Sequence, residues 1–257
     1  MTGDRGLDDV RRDLRDMGDV AICFSGGLDS TVLADLAHRE LGDRAVAVVV
    51  DVPMMTTRQR AAAQAIADHI GIRLVKAPLG YGDLPGILEN THSRCYICKT
   101  SMYSAVRRKA DELGLEHVVN GEIVDDLSED RPGMGASEEN GVRRPFLDAG
   151  IGRDVIRSYI DSMDLPVTMV KDTCMLMRYP EGTPVTESDL RLAEDLEAEV
   201  RATTGIHQIR VRRKGDRFSI QTSTAEHDVL FGNLEDIKRI FARRGLAFEA
   251  DPSGYNK

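Results

Sequence analysis

Three short strand-like runs in the first third of the chain, each followed by a stretch of helical periodicity, limit the architectures open to it. Asp19–Phe24 and Ala45–Val50 carry runs of consecutive apolar side chains, as a strand buried on both faces does, and Ile72–Val75 reads as a third strand. After the first run, Val32, Leu33, Leu36, Ala37 and Leu41 share one helical face that stops at Gly42, with Asp29 or Ser30 as the candidate cap. Thr57–Ile70 predicts a second such helix. Leu7–Met17, with Leu7, Val10 and Leu14 on one face, predicts a helix before the first strand. Another runs from near Cys95 to Leu113, ended by Gly114, ahead of a fourth strand at His117–Val119. Strands alternating with helices at this spacing predict an α/β fold, a parallel sheet with helices on both faces.

The texture changes beyond that point. Asp125–Gly141 is rich in Asp, Glu, Gly and Ser and reads as a long surface loop, followed by a helix at Gly152–Met163. An irregular stretch from Leu165 holds Lys171, Cys174 and Arg178. A small α+β unit is then expected: a helix at Ser188–Arg201, a hairpin of Gln208–Arg212 and Phe218–Gln221 turning at Lys214-Gly215-Asp216, a helix at Leu234–Arg244 and a strand at Leu246–Glu249. The expected domains are 1–165 and 166–257.

The chain has 34 Lys and Arg against 43 Asp and Glu, a formal charge of −9, which argues against non-specific nucleic-acid coating. No apolar run is long enough to cross a bilayer, and the first residues lack a signal-peptide core, so a cytoplasmic location is expected. Four cysteines in such a chain point to metal or redox chemistry sooner than to disulfides.

Ser25-Gly26-Gly27-Leu28-Asp29-Ser30 lies between the first strand and the following helix. Two glycines let the backbone turn tightly and aim successive N–H groups into one concavity, and the helix N-terminus adds partial positive charge. The Ser25 and Ser30 hydroxyls can also donate to an anion. No Gly-Lys-Ser/Thr follows, so this is not a Walker A loop. Ser-Gly-Gly-x-Asp-Ser after a first strand resembles the pyrophosphate loop of the PP-loop ATPase superfamily. That resemblance implies an adenine nucleotide α-hydrolase-like fold and cleavage of ATP between the α and β phosphates. It also implies a magnesium ion positioned by Asp29.

Cys95-Tyr96-Ile97-Cys98 and the distant Cys174 are the other chemical signals, while Cys23, beside Ile22 in a strand, reads as core packing. Longer stretches resemble the LarE family: Asn120-Gly121, Asp126, Arg131-Pro132-Gly133, Glu139-x-Gly141-Val142-Arg143, Cys174-x-x-x-Arg178-x-Pro180-x-Gly182-Thr183-x-x-Thr186, Ile209-Arg210-Val211-Arg212 with Gly215-Asp216, and Asp251-Pro-Ser-Gly254-Tyr255. Val170-Lys-Asp-Thr before Cys174, and Met177 before Arg178, depart from the family's usual residues.

The LarE resemblance implies an ATP-dependent sulfur transferase. It would adenylate a carboxylate of a pyridinium biscarboxylate mononucleotide and exchange AMP for sulfur, on the way to a nickel-pincer cofactor. It implies sulfur delivered by Cys174, or a [4Fe-4S] cluster held by Cys95, Cys98 and Cys174 with one iron open to external sulfide. Zinc on His92, Cys95, Cys98 and Cys174 and a metal-free persulfide-carrying dithiol stay open as alternatives. Arg210 and Arg212 alternate on one strand face and match the family's clamp for a substrate phosphate; a solvated hairpin is the plain alternative. Glu197 aligns with a family metal-site glutamate. A sulfide or sulfur donor and a homo-oligomeric assembly are expected, and tRNA is not the expected partner. The rival functions are a PP-loop tRNA thiolase, an amidating PP-loop ligase like the NAD or queuosine-precursor synthases, and a nucleotide sensor without catalysis.

Overall fold

The computed structural model describes residues 2–128, 134–167 and 173–254. By its internal contacts the chain forms two compact units, Met1–Ile87 with Ser93–Lys171, and Leu88–His92 with Asp172–Lys257.

In the first unit, α1 (Thr2–Met17) leads into β1 (Val20–Cys23), α2 (Leu28–Leu41), β2 (Ala45–Asp51), α3 (Thr57–Ile70), β3 (Arg73–Pro78), α4 (Arg94–Leu113) and β4 (Val118–Val119). The strands form one parallel sheet in the order β3-β2-β1-β4, with Ile22 of β1 opposite Ala47 of β2 and Val119 of β4. This is the parallel, helix-flanked sheet of the PP-loop fold. Val20, Ala21 and Ile22 are fully buried, which is why β1 reads as an unbroken apolar run. Val10 and Leu14 of α1 and Val32, Leu33, Leu36 and Ala37 of α2 pack into the same core. The chain leaves β1 toward β2 on one side, and β4 lies on the other. The crevice at the carboxyl end of β1 is therefore a topological switch point, where ligands bind in open α/β sheets.

Local chemistry sets the helix ends. Thr56 and Gln59 make a reciprocal capping box at the start of α3, and Gly71, at φ 81°, ends it in the left-handed region. The start of α2 differs from expectation. Its N-cap is Gly27, with Asp29 and Ser30 already inside the first turn, so neither residue caps the helix.

The expected loop at Asp125–Gly141 is also corrected. A short 3-10 turn, Val124–Ser128, and a helix, α5 (Met134–Glu139), stand in it. Tertiary contacts order the second: Ala136 is fully buried, and the buried Ser137 hydroxyl donates to Glu122 at 2.9 Å. The Arg131-Pro132-Gly133 stretch lies outside the described residues, as do Val170-Lys171-Asp172 and Tyr255. Short helices α6 (Pro145–Asp148) and α7 (Arg153–Asp161) complete the unit.

The second unit holds α8 (Glu187–Thr204), β5 (Ile209–Lys214), β6 (Arg217–Thr222), α9 (His227–Gly232), α10 (Leu234–Ala242) and β7 (Phe248–Ala250). β5 and β6 form the expected antiparallel hairpin, and β7 joins β6 in parallel. Leu196, Val200, Val211, Phe218, Ile220, Ile237 and Phe241 make its core. Leu88–His92 belongs here: the Gly182 N–H donates to Asn90 O and the Val185 N–H to Leu88 O, both at 2.8 Å. Asn90 is fully buried at φ 53°, a left-handed conformation that Asn tolerates better than most residues. Among the described residues no helix is long and apolar enough to cross a membrane.

Candidate active site

The loop after β1 is organised by its own serines. The Ser30 hydroxyl accepts the Ser25 N–H at 3.3 Å and donates to the Gly27 carbonyl at 3.1 Å. The Ser25 hydroxyl lies 3.1 Å from that of Ser30 and accepts the Gly27 N–H at 3.2 Å. Gly26 sits at φ 70°, and a Cβ there would meet the Ala63 backbone of α3 at 3.0 Å. Glycine is therefore required at this position on two counts. Ser25 and Gly27 are exposed, and Asp29 is half-buried in the first turn of α2. The loop presents hydroxyls, backbone N–H groups and the positive end of a helix to one crevice, which suits a polyphosphate.

A glycine just after β4 backs this loop. A Cβ on Gly121 would lie 2.9 Å from the Asp29 carbonyl carbon and 3.0 Å from the Ser30 nitrogen. Its neighbour Glu122 is buried and gathers partners from two helices, α4 and α5. Lys99 Nζ reaches it at 3.0 Å, the Ser137 hydroxyl donates to it at 2.9 Å, and the Tyr103 hydroxyl donates at 3.3 Å while accepting from Asn120 Nδ2 at 3.0 Å. Burial, then the Glu122 charge, pushes the Tyr103 phenol well above its ordinary range. The same causes push the Cys23 thiol up to about 12, with Arg107 and Lys99 pulling weakly the other way, so Cys23 is a protonated packing residue. Asn120-Gly121 stood out only through a resemblance, and the Glu122 network carries no signature in the sequence, because its partners lie far apart along the chain.

Cys95 and Cys98 lie within the first five residues of α4, one exposed and one half-buried, and the Cys98 thiol lies 3.6 Å from the Met102 sulfur. Cys174, exposed, stands in the second unit at the head of a 3-10 turn, Met175–Arg178. His92, also of the second unit, faces Glu181 at 3.3 Å. Within each unit, among the described residues, no three His, Cys, Asp or Glu side chains gather closely enough to hold a metal ion. Of the three cysteines expected to share a cluster, two belong to the first unit and one to the second.

The hairpin of the second unit places Arg210 and Arg212 opposite Gln221 and Ser219, with Val211 between them turned into the core. Arg210 is buried and Arg212 half-buried, so a solvated hairpin does not describe them. Arg143 pairs with Asp13 at 2.6 Å and Lys214 with Glu249 at 2.7 Å, ordinary surface charge. Glu197 is committed elsewhere: its two oxygens accept from Arg178 Nε at 2.6 Å and Nη2 at 3.1 Å, and the first also takes the Val211 N–H at 3.0 Å. A metal at Glu197 would have to displace a fully buried guanidinium.

With this geometry in place, the comparisons with known proteins fix the class. Residues 7–119 match the sequence model of the asparagine synthase family. The match spans the sheet and the serine–glycine loop; with the fold, it makes the chain a PP-loop, ATP-dependent enzyme of the pyrophosphatase type. Over most of its length the chain is similar to a synthase of the LarE type. It is 28% identical over 214 residues to the pyridinium-3,5-bisthiocarboxylic acid mononucleotide synthase of Lactiplantibacillus plantarum, covering 82% of this chain and 77% of that one. An uncharacterized protein of Synechocystis is 28% identical over 253 residues, 97% of this chain and 94% of its own. A glutamine-hydrolyzing GMP synthase polypeptide of Archaeoglobus fulgidus is 28% identical over 132 residues, 51% of this chain and 43% of that one.

Proposed function

We propose that the protein is an ATP-dependent sulfur transferase that converts a carboxylate of a pyridinium mononucleotide into a thiocarboxylate. Residues 1–165 act as the ATP-binding domain and 166–257 as the substrate and sulfur-transfer domain. The observation that carries the reading is the pairing of a serine–glycine phosphate loop with a likeness, across most of the chain, to a synthase whose product bears thiocarboxylates. The GMP synthase likeness covers about half of the chain, so it favours ATP chemistry in general and leaves the acceptor open.

In this reading Ser25, Gly26, Gly27 and Ser30 hold the β and γ phosphates and Asp29 positions magnesium. A substrate carboxylate oxygen attacks the α-phosphorus, the bond to the bridging oxygen breaks, and pyrophosphate leaves with the electron pair. Loop N–H groups stabilise its growing charge. Arg210 and Arg212 grip the phosphate of the mononucleotide. A sulfur nucleophile then attacks the acyl carbon and expels AMP. If it is hydrosulfide, loss of its proton gives the thiocarboxylate directly. If it is the Cys174 thiolate, the thioester must lose its Cα proton and break the Cβ–S bond, leaving dehydroalanine at position 174. Cys95 and Cys98 stand in the first unit and Cys174 in the second, so a cluster or zinc on the three would draw ligands from both.

The test is turnover with Mg·ATP and a pyridinium biscarboxylate mononucleotide, with and without hydrosulfide. The expected products are AMP, pyrophosphate and a thiocarboxylate. Release of ADP and phosphate would overturn the assignment. Loss of the elements of hydrogen sulfide from the protein mass would place the sulfur at Cys174. Anaerobic iron, sulfide and zinc analysis decides the metal content.

A further inference from the structure

The Arg178–Glu197 pair does more than fill the core of the second unit. Arg178 is fully buried, and a buried guanidinium persists only when its donors are met. Nε and Nη2 grip the two oxygens of Glu197. Nη1 turns the other way and donates to the Thr173 hydroxyl at 2.7 Å and the Thr173 carbonyl at 3.2 Å. Thr173 is the residue immediately before Cys174. Glu197, for its part, accepts the N–H of Val211, the residue between Arg210 and Arg212. One ion pair thus touches the backbone on both sides of the proposed chemistry, next to the sulfur residue and inside the clamp strand.

We infer that Arg178 and Glu197 form a positioning bracket that sets the Cys174 loop and the Arg210–Arg212 strand against one another within the second unit. The inference rests on the proposed sulfur transfer for its purpose, although its first arm can be tested without substrate. The planar guanidinium suits the task. It meets a carboxylate with two parallel bonds on one edge and still has donors for the loop on the other, which a lysine ammonium cannot reproduce. Glu197 rides on α8, whose start is fixed by the reciprocal Thr186–Asp189 cap and whose buried face packs through Leu196 and Val200. The bracket therefore hangs from a rigid element, while Cys174 itself stays exposed for reaction.

Thr173→Val and Arg178→Lys separate the two arms. Thr173→Val removes one acceptor of the loop arm and leaves the ion pair in place. In a Cys23→Ala, Cys95→Ser, Cys98→Ser background, its Cys174 should react with iodoacetamide about tenfold or more faster than in the parent, the loss of a charge-assisted hydrogen bond setting the scale. Calorimetric affinity for nicotinate mononucleotide should stay at the parent value. Arg178→Lys should move both readouts, with mononucleotide affinity falling about tenfold. A purely structural role predicts a lower melting temperature with neither readout changed, and that result overturns the bracket. So does Thr173→Val labelling at the parental rate, which decides the matter even if Arg178→Lys does not fold. Failure of the parent to bind the mononucleotide would overturn the proposed clamp and leave the labelling arm to decide the bracket by itself.

Discussion

Gly121→Ala should damage ATP binding from behind the phosphate loop, without replacing any residue of the loop itself. The new Cβ would lie 2.9 Å from the Asp29 carbonyl carbon, 3.0 Å from the Ser30 nitrogen and 3.1 Å from the Asp29 oxygen. All three are backbone atoms in the first turn of α2, so no side chain can swing aside. The two segments must separate by about half an ångström to restore ordinary contact between carbon atoms. Overpacking of this kind costs about 1–3 kcal/mol of stability. The displaced turn carries the N–H groups that would meet the phosphates. A charge-assisted hydrogen bond is worth about 1.5–3 kcal/mol, so misaiming one should weaken ATP binding by at least about tenfold. Titration calorimetry with ATP and magnesium, alongside thermal melting by circular dichroism, reads both effects. Gly27→Ala is the informative comparison: at φ −81° its Cβ would meet only the Ser25 hydroxyl, at 3.3 Å, so the fold should hold. If Gly121→Ala binds ATP as tightly as the parent and melts at the same temperature, the close approach does not set the loop.

Other expectations concern single groups. The exposed Cys95 and Cys174 should be alkylated at pH 8 in the native protein while Cys23, its thiol pushed up to about 12, stays unmodified; mass spectrometry of the digest shows which. Asp251 is held down to about 2 by the Ser253 hydroxyl, Gln221 and the Ser253 N–H. A depressed carboxyl stabilises the fold above the ordinary carboxylate range and loses that contribution as pH falls through 4 toward 2, so Asp251→Asn should flatten the acid limb of a stability–pH curve. Arg210→Ala and Arg212→Ala should each weaken mononucleotide binding by about 1.5–3 kcal/mol and spare ATP affinity, with only the buried Arg210 also lowering the melting temperature.

Much of the first unit was legible because its signals are local. The span of α3 agrees residue for residue, since its cap, its apolar face and its terminal glycine lie within one window of sequence. The serine–glycine loop showed itself through the strand before it and the helix after it. Asp29 and Ser30 were misjudged as caps, because Gly27 also makes a good N-cap and the Ser30 hydroxyl turned back to Ser25 and Gly27. Helix α5 was hidden since its order comes from Glu122 and the burial of Ala136, neither of which gives a periodicity. Six residues of α9 are too few to show a face. Arg178 stood out in the sequence through a resemblance, but its partner Glu197 lies 19 residues away, and only the fold brings the two together.

The placement of Leu88–His92 bears on how such a protein can be inherited. The five residues are held within the second unit through Asn90 and Leu88, yet the chain enters and leaves them from the first. Asn90 adds a bond from its amide to the Pro180 carbonyl at 2.9 Å. A recombination event that exchanged only the carboxyl-terminal third would bring in a segment around Gly182 and Val185 whose partner segment had stayed behind in the recipient. Shuffled genes would therefore tend to encode mismatched seams, and the two units should share one line of descent more often than independently assorting modules do. Chimeras between this chain and a relative, joined at 165 with and without a matching exchange of residues 88–92, would show it: solubility should be recovered only when both pieces come from the same parent.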